Sequence, residues 1–165
     1  MACLGRCATV SCMKLIVSAL LFAGFAVSAG DPAGFTYWKS SDLKAFSKTL
    51  ATKINDQKVA SQQLTSHGNY LFMVAHREGD GEAEYHATQA DIFVVQSGEA
   101  TLVYGGELKG GKTTAANEMR APSIQGGIEK KLAAGDVVTI PAKTAHQLKV
   151  AAGKEFTYFV VKITQ

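Results

Sequence analysis

The fold prediction starts from Glu84-Tyr85-His86-Ala87-Thr88-Gln89-Ala90-Asp91, which precedes the apolar residues 92–95 and Gly98. This stretch places two carboxylates and one imidazole directly before a segment that has the pattern of a buried strand. Unpaired charges in such a position are costly, and a metal ion is the simplest partner that removes the cost. We therefore expect Glu84, His86 and Asp91 to take part in binding a metal.

A second stretch, residues 135–146, supplies another imidazole after a strand and a proline turn. Its sequence is Gly-Asp-Val-Val-Thr-Ile-Pro-Ala-Lys-Thr-Ala-His, and it ends at His146. Side chains two positions apart on a strand point to the same face, so Glu84 and His86 can both face an interior, and Asp91 can join them after a turn. His146, arriving from another strand, would complete a set of four ligands.

Two imidazoles and two carboxylates suit a borderline or hard divalent ion such as Mn, Fe, Ni or Zn, and they disfavour soft metals, which require sulfur. Open coordination positions would take water, oxygen or an oxygen of the substrate. Asp91 is one methylene shorter than glutamate, so an alternative set consists of Glu84, His86 and His146, with Asp91 only supporting a ligand. A further alternative places Glu84 and Asp91 on the exposed acidic rim of the loop at residues 78–82.

Composition and periodicity indicate one globular all-β domain. Of the 165 residues, 47% are hydrophobic and 19% are charged, and one domain plus a processing segment fits this length. From residue 59 onward the apolar residues form short runs with a period of two, separated by turns that contain many of the 16 glycines. Several short strands with frequent turns predict a sandwich or a barrel.

One amphipathic helix is predicted ahead of these strands, over residues 42–55. Leu43, Phe46, Leu50 and Ile54 recur there at helical spacing, with lysines between them. We expect a serine to cap the helix and the apolar side to pack on the outside of the sheet.

Residues 1–29 have the pattern of a secretory signal peptide. Arg6 and Lys14 are the only charged residues among them, residues 15–26 are apolar, and residues 27–29 are small. The apolar run is shorter than the ~20 residues that cross a bilayer, so no stable membrane anchor is expected. We predict a secreted or periplasmic protein in which residues 1–29 are removed, residues 30–57 carry the helix and residues 58–165 form the barrel.

The three cysteines, Cys3, Cys7 and Cys12, all lie in this predicted signal, within which Met13 offers an alternative start. The mature chain would therefore contain neither disulfides nor thiolate metal ligands. Removal of the signal also leaves basic and acidic residues nearly balanced, and no basic stripe with interleaved aromatic residues indicates nucleic acid binding. No glycine-rich phosphate loop opens a helix, and no serine lies in a recognisable nucleophile turn.

Residues 108–127 differ from the strands around them, because they are rich in glycine and threonine and contain few large apolar side chains. This composition predicts a long loop or a loose hairpin inserted between strands. A segment of this kind is either a lid over a site or a decoration of the fold, and we favour the lid.

The two opening stretches resemble the two sequence motifs of the cupin superfamily. The first cupin motif contains a glycine, two histidines separated by one residue, a glutamate and a closing glycine. Glu84 stands at the first histidine, and His86 matches the second. Asp91 replaces the glutamate, and Gly98 matches the closing glycine.

The second cupin motif contains a glycine, a proline, another glycine, a histidine and an asparagine. Gly135, Pro141 and His146 match its first glycine, its proline and its histidine, whereas Lys143 replaces the second glycine and Val150 the asparagine. Both motifs occur in the expected order between segments with strand patterns. The resemblance therefore implies a small jelly-roll-like β-barrel with a metal site at Glu84, His86, Asp91 and His146.

Three further residues are candidates for binding a substrate. His76 shares strand parity with other residues of an apolar run and could line the cavity as an acid or base; the alternative is a hydrogen-bonded structural histidine. Lys143 lies near the predicted barrel mouth and could bind an anion or donate a proton; the alternative is an ordinary surface lysine. Tyr104 is either a cavity residue or a core aromatic.

The resemblance implies a fold but no single activity, because the cupin superfamily includes dioxygenases, isomerases, decarboxylases, sugar binders and storage proteins. We expect a metal-dependent enzyme that acts on a small oxygen-bearing molecule by oxygenase chemistry or by isomerase or lyase chemistry. The alternative is a non-catalytic module that binds a small molecule or a sugar in the same cavity. The resemblance also implies a homodimer formed through sheet edges.

Overall fold

The computed structural model describes residues 30–165, and residues 34–165 form one structural unit. The predicted signal peptide at residues 1–29 lies outside the described residues, so the secreted or periplasmic location stays a prediction. Among the described residues, no helix combines the length and the apolar character that a membrane crossing requires.

The described chain contains one helix followed by twelve strands. They are α1 (Ser40–Ala51), β1 (Val59–His67), β2 (Tyr70–Arg77), β3 (Ala83–His86), β4 (Gln89–Tyr104), β5 (Glu107–Lys109), β6 (Lys112–Ala115), β7 (Glu118–Ala121), β8 (Ser123–Gln125), β9 (Ile128–Ala133), β10 (Val137–Ile140), β11 (His146–Lys149) and β12 (Phe156–Thr164).

The strands curl into a barrel with a common core. The main order of hydrogen-bonded neighbours is β1-β2-β12-β4-β11-β3-β7-β6, with β9 and β10 also pairing with β4. Every pairing among the described residues is antiparallel. Side chains from both layers of the barrel meet in one core that includes Phe93, Leu102, Phe156 and Val160. This arrangement confirms the all-β barrel predicted from the sequence.

Strand β4 runs through both layers because it bends at Gly98. Its first half pairs with β12 and β10, and its second half pairs with β11 and β9. Gly98 has a φ of +78°, and a Cβ atom at this position would collide with the carbonyl oxygen of Glu155. A glycine is therefore required where the strand passes from one layer to the other.

Helix α1 packs on the outer face of the barrel, as predicted. Leu50 of the helix is buried in a second apolar cluster with Ala60 of β1 and Val74 of β2, and Phe159 of β12 packs against this cluster. The next residue on β2, Ala75, belongs to the main core instead. Because successive side chains alternate between the two faces, strand β2 is buried on both sides.

The ends of the helix differ from the sequence prediction. The helix begins at Ser40 and the residue before it, Lys39, makes no side-chain capping hydrogen bond, so the predicted serine cap is wrong. The helix ends at Ala51. Asn55, which was expected to be helical, uses its side-chain oxygen to accept backbone N–H groups of Gln57 and Val59 in the turn before β1.

Of the two forms predicted for residues 108–127, the hairpin is confirmed and the long loop is wrong, because β6 pairs with β7 and β5 pairs with β8. Strand β7 pairs with β3 on one side and with β6 on the other, and β5 pairs with β8. These strands are polar and lack the apolar period of a buried strand, which is why the sequence does not reveal them. Pairing with β3 places Glu118 opposite His86 and Arg120 opposite Glu84.

Candidate metal centre

The four side chains that the sequence predicts as metal ligands converge inside the barrel. One ligand atom from each of Glu84, His86, Asp91 and His146 lies within 4.8 Å of the other three. Glu84 and His86 are two positions apart on β3, so their side chains lie on the same face. His146 on β11 is the cross-strand partner of Glu84. Asp91 enters from β4 and is only 1% exposed, so it does not belong to an exposed acidic rim.

The distances within this cluster fit one small metal ion. His86 Nε2 lies 3.4 Å from both Glu84 Oε2 and Asp91 Oδ2. His146 Nε2 lies 3.5 Å from Asp91 Oδ2 and 4.0 Å from Glu84 Oε2. Ligand atoms bound at about 2.0–2.2 Å from one divalent ion are about 3–4 Å from one another. The cluster could therefore hold a metal ion with all four side chains as ligands.

Both imidazoles turn the same nitrogen atom toward the centre. His86 Nδ1 donates to Glu118 Oε2 at 2.6 Å, and His146 Nδ1 donates to the carbonyl oxygen of Thr144 at 3.0 Å, because these oxygens can only accept. In its neutral form each ring would then have an Nε2 atom without a proton, which is the form that binds metals. His146 Nε2 is also buried and has no hydrogen-bond partner among the described residues. Its lone pair is therefore free for a metal ion.

The ammonium group of Lys162 lies in the same cluster, although the sequence analysis did not identify this residue. Its Nζ atom donates to both carboxylate oxygens of Asp91 at 2.8 Å and to His86 Nε2 at 3.0 Å. The strand register explains these contacts, since Lys162 on β12 lies directly opposite Asp91 on β4. The sequence feature that could have identified Lys162 is that it is the one charged residue in the largely apolar strand β12. Lys162 thus supplies a cation to one side of the candidate metal centre.

Positive charges around the cluster keep both carboxylates ionised. Burial alone would raise the pKa of Glu84, but the hydrogen bond with His86 and the charge of Arg120 lower it to about 2. Burial would also raise the pKa of Asp91, but the nearby imidazoles of His146 and His86 and the charge of Lys162 hold it far below its usual range. Both groups are therefore anionic at neutral pH, as metal ligands or ion-pair partners must be.

His86 and Lys162 compete for one position beside Asp91. Burial lowers the pKa of His86, whereas hydrogen bonds with Asp91 and Glu84 raise it to about 9, and the charge of Lys162 opposes this rise. The contact between Lys162 Nζ and His86 Nε2 requires an unprotonated nitrogen, because an ammonium group only donates. The position therefore takes one cation at a time: a proton on His86, the ammonium group or a metal ion.

A cavity of about 240 Å³ opens beside the cluster. A second cavity of about 410 Å³ shares Arg77, Glu84 and Arg120 with the first. Glu84 lies between the two guanidinium groups, 3.5 Å from Arg77 Nη2 and 3.6 Å from Arg120 Nη2. The rest of the first cavity is partly apolar, with side chains from Met73, Phe93, Leu148 and Val160. The cluster thus faces a space for a small molecule with both charged and apolar walls.

His76 does not line this cavity, so the structure shows the predicted alternative, a hydrogen-bonded structural histidine. The residues of β2 that line it include Ala75 and Arg77, so His76 points to the opposite face. Its ring is fully buried, and Nδ1 makes a 2.7 Å hydrogen bond with Thr157 Oγ1. Both faces of β2 are buried, so the apolar pattern alone does not reveal which face is the cavity side.

Lys143 and Tyr104 also lie outside the lining of the cavity beside the cluster. Lys143 is exposed in a turn with a φ of +63°, and its backbone N–H donates to the carbonyl oxygen of His86 at 2.8 Å. It therefore supports the site through the backbone. Tyr104 packs against the edge of the main core. The charged groups of the cavity that the sequence analysis missed are Arg77, Glu82, Arg120 and Lys162.

Comparison with known proteins concerns the fold. No protein-family model and no curated protein matches the sequence. The chain is similar to the protein BH2720 of Bacillus halodurans, with a TM-score of 0.56, 10% identity and coverage of 81% of this chain and 83% of that chain. It is also similar to an uncharacterised Klebsiella pneumoniae protein with a double-stranded β-helix domain (TM-score 0.50, 18% identity, 67% and 80% coverage). A third similar structure is TT1209 of Thermus thermophilus (TM-score 0.50, 18% identity, 71% and 92% coverage).

Proposed function

The chain has a cupin fold, a barrel of the double-stranded β-helix type, and we propose that Glu84, His86, Asp91 and His146 bind one divalent metal ion. The observation that carries this proposal is the approach of the inward-facing Nε2 atoms of two histidines and of two carboxylates to within 4.8 Å of one another. The donor set suits Mn, Fe, Ni or Zn. Glu118 and the carbonyl group of Thr144 would hold the imidazoles in the binding orientation.

We infer that the metal-bound protein is an enzyme for a small oxygen-bearing molecule. A divalent ion at this position would act as a Lewis acid toward an oxygen of the ligand. The cavity of about 240 Å³ beside the cluster has room for a small ligand only. Lys162 Nζ, which lies at the wall of this cavity, is a proton donor within reach of such a ligand. Oxygenase chemistry and isomerase or lyase chemistry both remain candidates.

A second candidate function is a non-catalytic module that binds a small molecule or a sugar. The specific observation in its favour is Lys162, whose ammonium group already neutralises Asp91 through two contacts of 2.8 Å. A cluster that carries its own cation can be stable without a metal, since the buried carboxylate is paired. In this function the cavity would hold its ligand by shape and charge alone.

Metal analysis separates these two functions. The protein is incubated with Mn, Fe, Ni or Zn in turn, dialysed, and analysed by mass spectrometry of its metal content. We expect close to one ion per chain with at least one metal, and none in His146→Ala. His67→Ala is the matched control, because this imidazole lies at the end of β1 and outside the cluster. Retention of metal by His146→Ala, or no uptake by the unaltered protein, would refute the metal centre.

Activity assays then address the chemistry. If the protein takes up iron or manganese, we expect oxygen consumption with one member of a panel of diols, phenols and sugars in the oxygenase case. Isomerase or lyase chemistry would convert a member of the panel without consuming oxygen. Ligand binding without conversion, in protein that holds no metal, would favour the binding module.

We also propose that the protein is secreted or periplasmic and forms a homodimer. Support for export comes from the sequence pattern of residues 1–29, and support for the dimer comes from strands that are apolar on both faces. N-terminal sequencing of the protein from its native compartment and its mass in solution test these two proposals.

A further inference from the structure

Arg77 is a buried arginine whose charged group faces the cavity beside the cluster. The residue is 8% exposed, yet it lines both the cavity of about 240 Å³ and the adjoining one. Arginine is rarely buried unless its charge has a partner. The anion nearest to Arg77 among the described residues is Glu84, whose Oε1 atom lies 3.5 Å from Arg77 Nη2.

The partners of Arg77 within the described chain satisfy few of its N–H groups. Its Nε atom donates to the hydroxyl oxygen of Tyr158 at 3.1 Å, and this is its side chain's single hydrogen bond to a described residue. Its contact with Glu84 is 3.5 Å long, which is beyond the usual hydrogen-bond distance of about 2.7–3.2 Å. A guanidinium group has five N–H donors, so Arg77 keeps several for another acceptor.

Tyr158 adds a neutral donor at the same place. Its hydroxyl oxygen accepts from Arg77, so its own proton is free to be donated, and the residue lines the cavity. Burial raises the pKa of Tyr158, although the charge of Arg77 acts in the opposite direction. The hydroxyl group therefore keeps its proton at neutral pH, and both polar groups offer donors to one acceptor.

The charge balance of the cavity favours an anionic ligand when a metal is present. Without a metal the lining is balanced, with three basic side chains (Arg77, Arg120 and Lys162) and three acidic ones (Glu82, Glu84 and Asp91). A divalent ion would add positive charge that these carboxylates do not balance. Apolar side chains on the remaining wall, such as Met73 and Val160, suit a short hydrocarbon portion.

We propose that Arg77 and Tyr158 form a carboxylate-binding subsite and that the ligand of the cavity is a small carboxylic acid. The planar guanidinium group and the phenol would together hold the carboxylate oxygens, and the apolar wall would hold the carbon chain. The inference rests on the proposed function in that it names the ligand class of the same cavity. The subsite itself consists only of residues of this chain.

The test is an NMR titration of ¹⁵N-labelled protein with propionate, and with propionamide as the uncharged compound of the same shape. The Nε–H resonance of Arg77 reports on the subsite directly. We expect a saturable shift of this resonance with propionate, both in metal-loaded protein and in protein treated with EDTA. We expect no saturable shift with propionamide. Equal binding of the two compounds, or no binding of propionate in either state, would overturn the inference.

Three variants locate the binding, with the backbone amide of Val160 as the reporter. Arg77→Lys keeps the charge but loses the planar guanidinium group, which can donate two parallel hydrogen bonds to a carboxylate. It should weaken propionate binding by about tenfold or more. Tyr158→Phe removes one hydroxyl group and should weaken binding by about three- to tenfold. Gly81→Ala should also weaken binding, because its Cβ atom would lie 2.6 Å from Arg77 Nη1 and displace the guanidinium group. If Arg77→Lys does not fold, the other two variants still test the inference.

Lys143→Gln is the matched control, because it removes a positive charge near the cluster from a residue outside the cavity lining. Its affinity for propionate should equal that of the unaltered protein, and an equal loss in this variant would overturn the inference in favour of general charge attraction. Propionate binding that requires the metal and ignores Tyr158→Phe and Gly81→Ala would also overturn it, while leaving the metal centre intact. Binding that depends on Arg77 in a protein that takes up no metal would support the subsite and refute the proposed metal enzyme.

Discussion

The two sides of the cavity differ in how the chain encodes them. The metal-binding side consists of Glu84, His86, Asp91 and His146, which lie in two short stretches whose spacing is visible in the sequence. The cationic side consists of Arg77, Arg120 and Lys162, which lie on three strands outside those stretches. One side is therefore encoded by local patterns, and the other is encoded by the register of distant strands.

Cross-strand pairing connects the two sides. Lys162 lies directly opposite Asp91, and Arg120 lies directly opposite Glu84. Residues at such positions have neighbouring side chains, and opposite charges there stabilise the pair. Each carboxylate of the cluster therefore has a counter-charge on the next strand. Without a metal ion, the stability of such a ligand cluster depends on these charge partners.

The largest effect is expected for Asp91→Ala, which removes the group that both sides share. The metal affinity should fall more than about 100-fold, beyond the 10–100-fold that is usual for residues that only orient a ligand. The metal-free protein should lose about 3–5 kcal/mol of unfolding free energy, because the charge of Lys162 loses its buried partner. Metal titration and urea unfolding measure the two effects.

Asp56→Ala is the control for this change, since Asp56 is exposed in the turn before β1. Asp56→Ala should alter neither the metal affinity nor the unfolding free energy. An Asp91→Ala protein that binds metal as well as the unaltered chain would show that Asp91 is only the ion-pair partner of Lys162 and not a metal ligand.

Smaller effects of opposite sign on stability and on metal affinity are expected for Lys162→Met, which keeps the length of the side chain and removes its charge. The metal-free protein should lose about 1–3 kcal/mol, less than a fully unpaired charge costs, because His86 can take a proton beside Asp91. The metal affinity should rise about tenfold, equivalent to ~1.4 kcal/mol, because Asp91 no longer has to release an ammonium group.

Unfolding curves with and without metal measure the loss of stability and the gain in metal affinity. The control is Lys143→Met, which should show neither change. Lower metal affinity in Lys162→Met would mean that the lysine assists the metal rather than competing with it. The two sides of the cavity would then cooperate in binding the metal instead of competing for Asp91.

The smallest effect is expected for Glu118→Gln, which changes the residue that orients His86. The amide oxygen can still accept the Nδ1–H bond that is now 2.6 Å long, but it lacks the charge that increases the basicity of Nε2. The metal affinity should fall by about tenfold, at the lower end of the range for residues that orient a ligand. Competition with a chelator measures this loss, with Glu129→Gln on the exposed strand β9 as the control. An unchanged affinity would mean that Glu118 serves only as the ion-pair partner of Arg120, which it contacts at 3.2 Å, and does not tune His86.

The errors of the sequence analysis have specific physical causes. The cavity-lining role suggested for His76 was wrong because β2 is buried on both faces, by the core on one side and by helix α1 on the other. Residues 108–127 were predicted as a long loop or a loose hairpin without defined strands, because their strands are held by pairing with one another and, for β7, with β3, rather than by an apolar face. For the same reason Glu118 and Arg120 could not be assigned to the site, since their roles depend on which strand pairs with β3.

The sequence by itself determined the barrel, the outer helix and the identity of the four clustered side chains. These features follow from strand periodicity, helical spacing and the placement of charged groups beside buried strands, all of which are local properties. The tertiary structure alone decided which cations face the cluster, which face of β2 lines the cavity and that Lys162 lies beside Asp91. These depend on strand register, and register is fixed only when the whole barrel closes.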